Sequence, residues 1–359
     1  MPGTGIRVGG GRYSVVTRQV FRGKLRTAAV TAVTVVSLCL GGTVAAAADP
    51  IVDTGQALGS AVAPNGSTLD HVTVIDPRHL TLHVFSASMQ RVVPVYVQRP
   101  ADTSVPRPTL YFLDGQVRRE KTDVEEFLAG QNVNVVSPSG GENAYWTDWK
   151  SPDPVMGVNK WKTFMTQELP PVVDAALGTN GVNALAGMSR VGTAALQLAI
   201  AAPGLFRGVA AYSGCALTSD PLGQLFIKIT MDNYGYGNPA NMYGEADDPA
   251  WAANDPYVHA AELRGTELFL SNGNGLPGRH ETLDGPGIDG NVATLARQIY
   301  AGGPIEAVTN YCTHRFTDRL GEMGIPATAS FRNSGTHSWG YWQDDLHDSW
   351  PVLARALGV

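Results

Sequence analysis

The chain has 359 residues, of which 43% are hydrophobic and 16% are charged, and its formal net charge is −6. The acidic balance makes it a poor candidate for binding nucleic acid or anionic lipid surfaces. The chain is long enough to bury one large core, and its sequence contains no internal repeats and no low-complexity tail.

Residues 1–48 predict a secretory signal peptide. A lead-in with five arginines and one lysine precedes an uncharged, mostly apolar run over 27–40, and four alanines at 45–48 suit cleavage. The alternative is a retained membrane anchor, but the apolar run is shorter than the roughly 20 residues that span a bilayer. Removing this segment leaves 20 basic and 32 acidic residues, a formal charge of −12. We predict a single exported domain over residues 49–359.

Runs of β-branched or alternating apolar residues predict strands, and the first three form an antiparallel meander. The predicted strands cover 71–75, 80–86, 92–98, 109–113, 133–137, 182–186, 208–212, 267–270 and 327–331. The predicted helices cover 161–177, 193–202, 291–300 and 341–357. Buried strands that alternate with helices predict an α/β fold whose mostly parallel sheet has helices on both faces.

Residues 213–263 are too long for a simple connection. They contain a helix-like apolar run over 222–231, followed by a stretch rich in Gly, Asn and Tyr over 233–243. An insertion of this size after a catalytic strand often forms a cap or a substrate wall. The alternative is a surface excursion that packs on itself, and the sequence leaves both open.

Two cysteines remain after export, Cys215 and Cys312. An oxidising compartment permits a disulfide, and an even count leaves no cysteine without a partner. Two unrelated buried thiols are the alternative.

Ser189 is the best candidate nucleophile. It lies between a predicted strand and a predicted helix, where a sharp turn exposes a serine hydroxyl over the end of the sheet. Gly187 lets the backbone pass close to the sheet. The commoner pattern has glycine two residues beyond the serine, whereas this chain has Val191 there and Gly192 one residue later. An isolated Gly-x-Ser is usually structural, so the flanking elements carry the prediction.

A serine nucleophile needs a base, and the base needs an acid that fixes its tautomer. His337 follows a glycine-containing turn after the last predicted strand, and serine first with histidine last is the α/β-hydrolase order. The acid should fall between them, and the residues leave four candidates open. These are Glu281, Asp284, Asp289 and Glu306.

The predicted oxyanion hole needs two backbone N–H donors. One is expected from Arg190, directly after the nucleophile, and the other from Gln116, in the turn after the strand over 109–113. No cluster of cysteines and histidines has metal-ligand spacing, and no glycine-rich loop has a nucleotide-binding pattern, so neither a metal nor a cofactor is predicted.

Several motifs in one order make the chain resemble the antigen 85-type mycolyltransferases from about residue 108 to the C-terminus. They are Leu113-Asp114-Gly115, Ser137-Pro138-Ser139-Gly140-Gly141, Thr147-Asp148-Trp149, Lys160-Trp161-Lys162-Thr163-Phe164, Glu168-Leu169-Pro170, Gly187-Met188-Ser189, Asp248-Pro249-Ala250-Trp251, Asn254-Asp255-Pro256, Asn272-Gly273-Asn274-Gly275, Ser334-Gly335-Thr336-His337-Ser338-Trp339 and Tyr341-Trp342. The resemblance implies an α/β-hydrolase fold with a helical or loop insertion after the nucleophile-bearing half.

Carried over by position, the resemblance assigns the nucleophile to Ser189, the base to His337 and the acid to Glu306. Asp114 falls on a residue that contacts the trehalose head group, and Arg118 is the nearest equivalent of a family arginine. Trp339, with Trp149 and Trp342, is expected at the rim where the acceptor binds. The resemblance also places Cys215 near the acyl pocket and Cys312 near the sugar site, so a bridge between them would stiffen that rim.

The function expected from this resemblance is an exported serine acyltransferase of the cell envelope. The donor would be trehalose monomycolate, and the acceptor a second trehalose monomycolate, arabinogalactan or a protein serine. The first alternative is a secreted carboxylesterase that transfers the acyl group to water. The second is a non-catalytic cell-wall-binding protein that keeps the fold.

Overall fold

A computed structural model describes residues 61–113, 122–234 and 237–359. The predicted signal peptide lies outside the described residues. So do three predicted site residues, Asp114, Gln116 and Arg118. The expectations for those residues stay predictions.

Nine strands of the described residues form one sheet. They are β1 (Thr68–Val74), β2 (His79–Ser86), β3 (Arg91–Gln98), β4 (Thr109–Phe112), β5 (Asn134–Pro138), β6 (Asn183–Met188), β7 (Phe206–Tyr212), β8 (Glu267–Asn272) and β9 (Thr328–Phe331), in the spatial order β1-β2-β3-β5-β4-β6-β7-β8-β9. The first three strands are antiparallel, as is the β3–β5 pair, and the remaining neighbours are parallel. The opening meander and the mostly parallel sheet that the sequence predicts are both confirmed.

The described α-helices flank this sheet and its loops. They are α1 (Val124–Ala129), α2 (Trp161–Thr163), α3 (Leu169–Leu177), α4 (Arg190–Ala201), α5 (Pro221–Tyr234), α6 (Pro239–Tyr243), α7 (Ala250–Ala253), α8 (Val292–Arg297), α9 (Gly303–Glu322) and α10 (Trp339–Leu357). None of the helices in these parts of the chain combines the length and the apolar character that crossing a bilayer requires.

Helices cover both faces of the sheet. Side chains of a strand point alternately to its two faces, so neighbouring residues enter different cores. Leu185 of β6 lies in the cluster that contains Leu196 of α4. Its neighbour Ala184 lies in the cluster that contains Leu353 of α10. Strand β6, which precedes Ser189, is therefore buried on both sides, and this burial gives the turn that follows it a rigid base.

The predicted helix over 161–177 is divided. A π-helical turn, Phe164–Glu168, separates α2 from α3. Pro170 and Pro171 follow Leu169 in the first turn of α3 and supply no backbone N–H, so the regular hydrogen-bond ladder cannot run through them. This loss of donors accounts for the interruption.

The twenty-residue helix α9 is absent from the sequence prediction. The predicted helix over 291–300 forms α8 and a π-helical turn, Gln298–Gly302, which leads directly into α9. The sequence Gly302-Gly303-Pro304 has the composition of a break. Proline is nevertheless compatible with the first turn of a helix, where its missing N–H would have no partner. That exception lets α9 begin where the pattern indicates a stop.

The insertion over 213–263 packs into the main core. Ile227 and Met231 of α5 join the large core cluster, as do Met242 and Tyr243 of α6. The Asp153 carboxylate fastens the segment after α5, because its Oδ2 accepts hydrogen bonds from the Asn238 amide and the Asn241 side chain. An excursion that packs only on itself is therefore excluded.

Candidate active site

Ser189 occupies a strained turn between β6 and α4. Its φ is 57° and its ψ −134°, a conformation that non-glycine residues rarely adopt. The Ser189 amide donates to the Tyr212 carbonyl of the next strand over 2.7 Å, which fixes the turn against the sheet. Such conformations persist only where the surrounding structure enforces them. The buried strand on one side and the helix on the other supply that enforcement.

Two glycines permit the close approach of strand and helix. A Cβ on Gly187 would lie 2.9 Å from the Val191 carbonyl oxygen, and a Cβ on Gly192 would lie 3.0 Å from the Gly187 oxygen. Both distances are shorter than side chains tolerate without a backbone shift. In this chain the glycine lies three residues beyond Ser189 instead of two, and it is at this position, Gly192, that the helix touches the strand. Val191 itself is buried beside it.

The structure brings together the three side chains that the resemblance assigns. Ser189 Oγ lies 2.7 Å from His337 Nε2. His337 Nδ1 lies 2.8 Å from Glu306 Oε2. Serine, imidazole and carboxylate thus form a continuous chain at hydrogen-bonding distance, although 148 residues of sequence separate the serine and the histidine.

Glu306 is completely buried, and its carboxylate is well satisfied. Oε1 accepts from the Gly273 amide over 2.6 Å, from Ser213 Oγ over 2.8 Å and from Asn272 Nδ2 over 3.2 Å. Glu306 also lies in the first turn of α9, where the helix dipole favours negative charge. These donors stabilise a buried carboxylate and hold its other oxygen toward His337.

Glu281, a second of the four open carboxylates, lies beneath the histidine loop instead of against the imidazole. It accepts from Tyr341 Oη over 2.7 Å, from Gln298 Nε2 over 3.0 Å, from the Gly278 amide over 2.6 Å and from the Thr336 hydroxyl. Burial raises the pKa of Glu281, but these hydrogen bonds outweigh it and hold that pKa below its ordinary value. The sequence suggests Glu281 as a candidate acid but gives no sign of its hydrogen bond with Thr336, the residue before His337.

Arg190 is the first residue of α4 and directly follows Ser189. Its guanidinium Nε donates to the Glu142 carbonyl over 2.8 Å. Nη2 donates to Asn143 Oδ1, also over 2.8 Å. The side chain therefore fastens the start of α4 to the loop after β5. Gln116, the other predicted oxyanion donor, lies outside the described residues.

The predicted aromatic rim is only partly present. The Trp342 ring meets His337 edge to face, with 4.9 Å between ring centroids, and its Nε1 donates to Ser213 Oγ over 3.0 Å. Trp339 stacks edge to face on Trp342 and keeps part of its surface exposed. Trp342 is itself buried, with 8% of its surface exposed, and Trp149 is buried in the core, where it donates to the Ala144 carbonyl. Of these three residues, only Trp339 has the partial exposure of a rim residue, so the expectation is wrong for Trp149 and Trp342.

The structure contains the Cys215–Cys312 disulfide, with 4.9 Å between the Cα atoms, which confirms that prediction. Cys215 lies just after β7, and its amide donates to Thr193 of α4 over 3.0 Å. Cys312 lies on α9, the helix that carries Glu306. The bridge thereby joins α9, which carries Glu306, to the end of β7, next to α4.

Within the described ranges, no group of three or more His, Cys, Asp or Glu residues could hold a metal ion. The chemistry that these residues support is attack by an activated serine on an ester or related carbonyl.

Comparison with known proteins agrees with this geometry. Residues 86–353 match the family model "Putative esterase". Diacylglycerol acyltransferase/mycolyltransferase Ag85A of Mycobacterium leprae is 32% identical over 292 residues, which cover 77% of this chain and 83% of that protein. Ag85B of Mycobacterium avium is 31% identical over 295 residues, with the same coverage.

Solved structures show the same fold. MPT51 (FbpC1) of Mycobacterium tuberculosis superposes with a TM-score of 0.63 at 23% identity and covers 78% of this chain and 98% of its own. An S-formylglutathione hydrolase from Agrobacterium tumefaciens superposes with a TM-score of 0.55 at 16% identity, covering 81% of this chain and 99% of its own. The predicted α/β-hydrolase fold is confirmed.

Proposed function

The chain belongs to the esterase family that includes the antigen 85 diacylglycerol acyltransferase/mycolyltransferases, and on that premise we propose that it transfers acyl groups through an ester on Ser189. The observation that carries the proposal is the hydrogen-bonded chain from Ser189 through His337 to Glu306. In this proposal Ser189 is the nucleophile, His337 the base and Glu306 the acid that orients it.

Acylation begins when Ser189 Oγ attacks the carbonyl carbon of the donor ester. His337 Nε2 takes the serine proton, and Glu306 holds the opposite ring nitrogen as the N–H form and stabilises the imidazolium. The C–O bond to the leaving alcohol then breaks, and the imidazolium returns the proton to that alcohol. The donor's acyl group is left on Ser189.

The tetrahedral intermediate places negative charge on the former carbonyl oxygen. We assign its stabilisation to the backbone amides of Arg190 and Gln116, one at the start of α4 and one after β4. The loss of one such donor typically costs about 3–4 kcal/mol of transition-state stabilisation. The anchoring of Arg190 to the loop after β5 supports this role, because a fixed amide needs no reorganisation during the reaction.

Transfer is completed when an acceptor hydroxyl gives its proton to His337 and attacks the acyl carbon. The bond from that carbon to Ser189 Oγ then breaks, and the imidazolium returns the proton to Oγ. We propose trehalose monomycolate as the donor, and a second trehalose monomycolate, arabinogalactan or a protein serine as the acceptor. Asp114 and Arg118 are proposed to contact the sugar, with Trp339 at the rim. The names of the relatives, which are mycolyltransferases, support this substrate class.

Helix α5 suits a wall for the acyl chain. Leu225 and Ile229 lie one turn apart and are about half exposed, at 50% and 49%, while Ile227 of the same helix is buried. The helix thus faces the core with one side and presents apolar surface with the other. Phe226 of α5 and Val308 of α9 both pack against the cluster of Cys215, Leu217 and Cys312, so α5 and the helix of the proposed acid share that cluster.

We also propose that the protein is exported to the cell envelope with removal of residues 1–48. The support is the basic lead-in, the apolar run and the alanines of that segment. N-terminal sequencing of the protein from culture medium and envelope fractions tests this point. A start near residue 49 is expected, and an intact N-terminus in both fractions would contradict it.

The direct test of the chemistry is mass spectrometry after incubation with trehalose monomycolate. An acyl adduct is expected on the peptide that contains Ser189, absent from Ser189→Ala and retained in the control Ser151→Ala, which alters an exposed serine. An adduct at another residue, or none, would count against the proposal.

A secreted carboxylesterase is the second candidate, and the matching family model favours it. Adding trehalose separates the two: a transferase forms acylated trehalose at the expense of free acid, whereas an esterase yields free acid alone. Labelling by an active-site-directed phosphonate distinguishes both from a non-catalytic binding protein, which would remain unlabelled.

A further inference from the structure

A second buried carboxylate lies behind the proposed catalytic acid. Asp345 of α10 is completely buried, as is Glu306. Arg332, the first residue after β9, lies between them. Its Nη1 forms an ion pair with Asp345 Oδ1, and its Nη2 lies 4.0 Å from Glu306 Oε1. One guanidinium therefore faces two carboxylates, of which one contacts His337.

The surroundings of this pair come from several elements. The Arg332 guanidinium lies over the Tyr341 ring at 5.2 Å, and Tyr341 donates to Glu281. Asp345 interacts with Ser271 of β8 and, electrostatically, with the Tyr212 hydroxyl of β7. Among the described residues, the titratable or charged groups that face the pair are thus Glu306, Tyr212, Tyr341 and, through Tyr341, Glu281 and His280.

Stability alone gives little reason for this pair, in which Asp345 is completely buried and the Arg332 side chain is 19% exposed. Removing charges from water costs much of what their attraction returns, and apolar replacements of similar volume are often neutral or stabilising. The acyl-transfer mechanism above makes no direct use of Arg332 or Asp345. Their position next to Glu306 gives them an electrostatic effect on the group that stabilises the imidazolium.

Arg332 and Asp345 carry opposite charges and therefore have opposite electrostatic effects on Glu306. A bare Arg332 cation near Glu306 would offset the carboxylate's charge and disfavour a protonated His337. Asp345 supplies the opposing negative charge and cancels this effect. In a buried site, charges at such distances are weakly screened, so the balance between them reaches the imidazole.

We propose that Arg332 and Asp345 are positioning residues that set the charge His337 experiences through Glu306, and so the pH range in which Ser189 is activated. This inference rests on the proposed function. It assigns a role to two residues that lie outside the sequence motifs. It also predicts that replacing Asp345 and replacing Arg332 change the pH dependence of the rate in different ways.

Burial raises the pKa of Asp345 to about 7, against the opposing effects of Arg332 and Ser271. Asp345 therefore loses its proton within the range in which an ordinary histidine base also titrates. Above that range Asp345 is an anion and compensates Arg332 fully. Below it, a neutral Asp345 leaves the cation facing Glu306.

The test compares kcat/KM across pH for hydrolysis of a chromogenic short-chain ester by full-length Asp345→Asn, Arg332→Gln and Arg332→Lys. Asp345→Asn is expected to lose about 3- to 10-fold in rate above pH 8, and the loss should shrink below pH 6, where wild-type Asp345 is itself neutral. Arg332→Gln should move the acidic limb to higher pH by about 0.5–1 unit. Arg332→Lys keeps the charge and should leave the limb in place.

A purely structural role predicts a different pattern. A loss that is equal at all pH values in Asp345→Asn, or an acidic limb that stays in place in Arg332→Gln, would overturn the proposal. If a single variant fails to fold, the double variant Arg332→Gln/Asp345→Asn replaces it, because removing both charges leaves none uncompensated. Its acidic limb should lie above that of Arg332→Lys, and coincidence of the two limbs would contradict the inference.

The Ser189→Ala variant separates this inference from the proposed function. If Ser189→Ala hydrolyses the ester as fast as the wild type, the proposed chemistry itself fails. If hydrolysis depends on Ser189 but the charge variants leave the pH profile unchanged, only the role of Arg332 and Asp345 fails.

Discussion

The two halves of the candidate active site are built in different ways. The side that carries the proposed nucleophile is local: β6, Ser189 and α4 follow one another within residues 183–201, and close packing of their own backbone sets the turn. The side that carries the proposed base and acid is assembled from distant parts of the chain. Glu306 accepts hydrogen bonds from Ser213, Asn272 and Gly273, and His337 lies in a loop whose Thr336 hydroxyl donates to Glu281.

The difference teaches where each half is vulnerable. The local turn should be disrupted by a single added side chain at one or two positions, because the strand and the helix are in direct contact there and leave no room for it. A distributed network loses one contact at a time, so most single changes in it should have graded effects. The acid itself is the exception, since it is the point at which the network meets the imidazole.

Glu306→Gln should have the largest effect on the distributed half. An amide cannot offer a charged acceptor to the imidazole and favours the wrong tautomer, and an equivalent change in a serine protease costs about 10⁴-fold in kcat. We expect a loss of about 10³- to 10⁴-fold in acylation rate with the fold retained, measured by burst kinetics and circular dichroism. Unchanged activity would mean that another carboxylate is the acid.

Gly187→Ala tests the local half. The added Cβ would lie 2.9 Å from the Val191 carbonyl oxygen, so α4 must shift and carry Ser189 with it. We expect a loss of about 10²-fold in kcat and a lower Tm, because small misplacement of a nucleophile is costly. Gly321→Ala is the matched control: that glycine lies in α9 with open space around it, and alanine there should be neutral or stabilising by about 0.5–1 kcal/mol.

Glu281→Gln should show the graded response of the distributed half. Replacing one carboxylate oxygen by an NH₂ group places a donor where Glu281 now accepts, so the new NH₂ faces an existing donor. One hydrogen bond that supports the loop of His337 is thereby lost. We expect about a 10-fold loss in kcat with KM nearly unchanged, since the effect falls on the base. The exposed Glu322→Gln serves as control. A loss seen only in KM would place Glu281 in substrate binding instead.

The contribution of Glu281 to folding stability should decrease at acid pH. The folded-state pKa of Glu281 is depressed, so its stabilising contribution is present above the ordinary glutamate pKa. The contribution is lost as the pH falls through the folded-state value. Stability measured by denaturant titration should therefore fall at acid pH more steeply in the wild type than in Glu281→Gln, and parallel curves would contradict this.

Removing the disulfide should have the smallest effect on activity and a clear effect on stability. A Cys215→Ser/Cys312→Ser variant loses a bridge that closes a loop of 97 residues, which typically costs about 2–4 kcal/mol of unfolding free energy. We expect kcat to fall only about 2- to 5-fold, because Ser213 and Thr313 still tie the end of β7 to α9. Reducing agent should affect the wild type and leave the variant unchanged. A variant as stable as the wild type would show that the bridge constrains little.

Local sequence patterns account for most of the sheet and for the nucleophile turn. Apolar periodicity places the strands within a few residues of their observed bounds, and Gly187 with Ser189 marks the turn because both constraints lie within a few residues of each other. The order of serine and histidine indicates the fold, and the family resemblance selects Glu306 from four carboxylates. Asp114, Gln116 and Arg118 stay predictions.

Only the tertiary structure decided the distributed half. Helix α9 begins through a Gly-Gly-Pro sequence that resembles a break, Trp149 turns inward, and Glu281 supports the histidine loop from below. Arg332 and Asp345 have no local signature at all, because what gives them meaning is their distance from Glu306. Periodicity reports which face of an element a residue lies on, whereas a buried charge takes its role from neighbours that are remote along the chain.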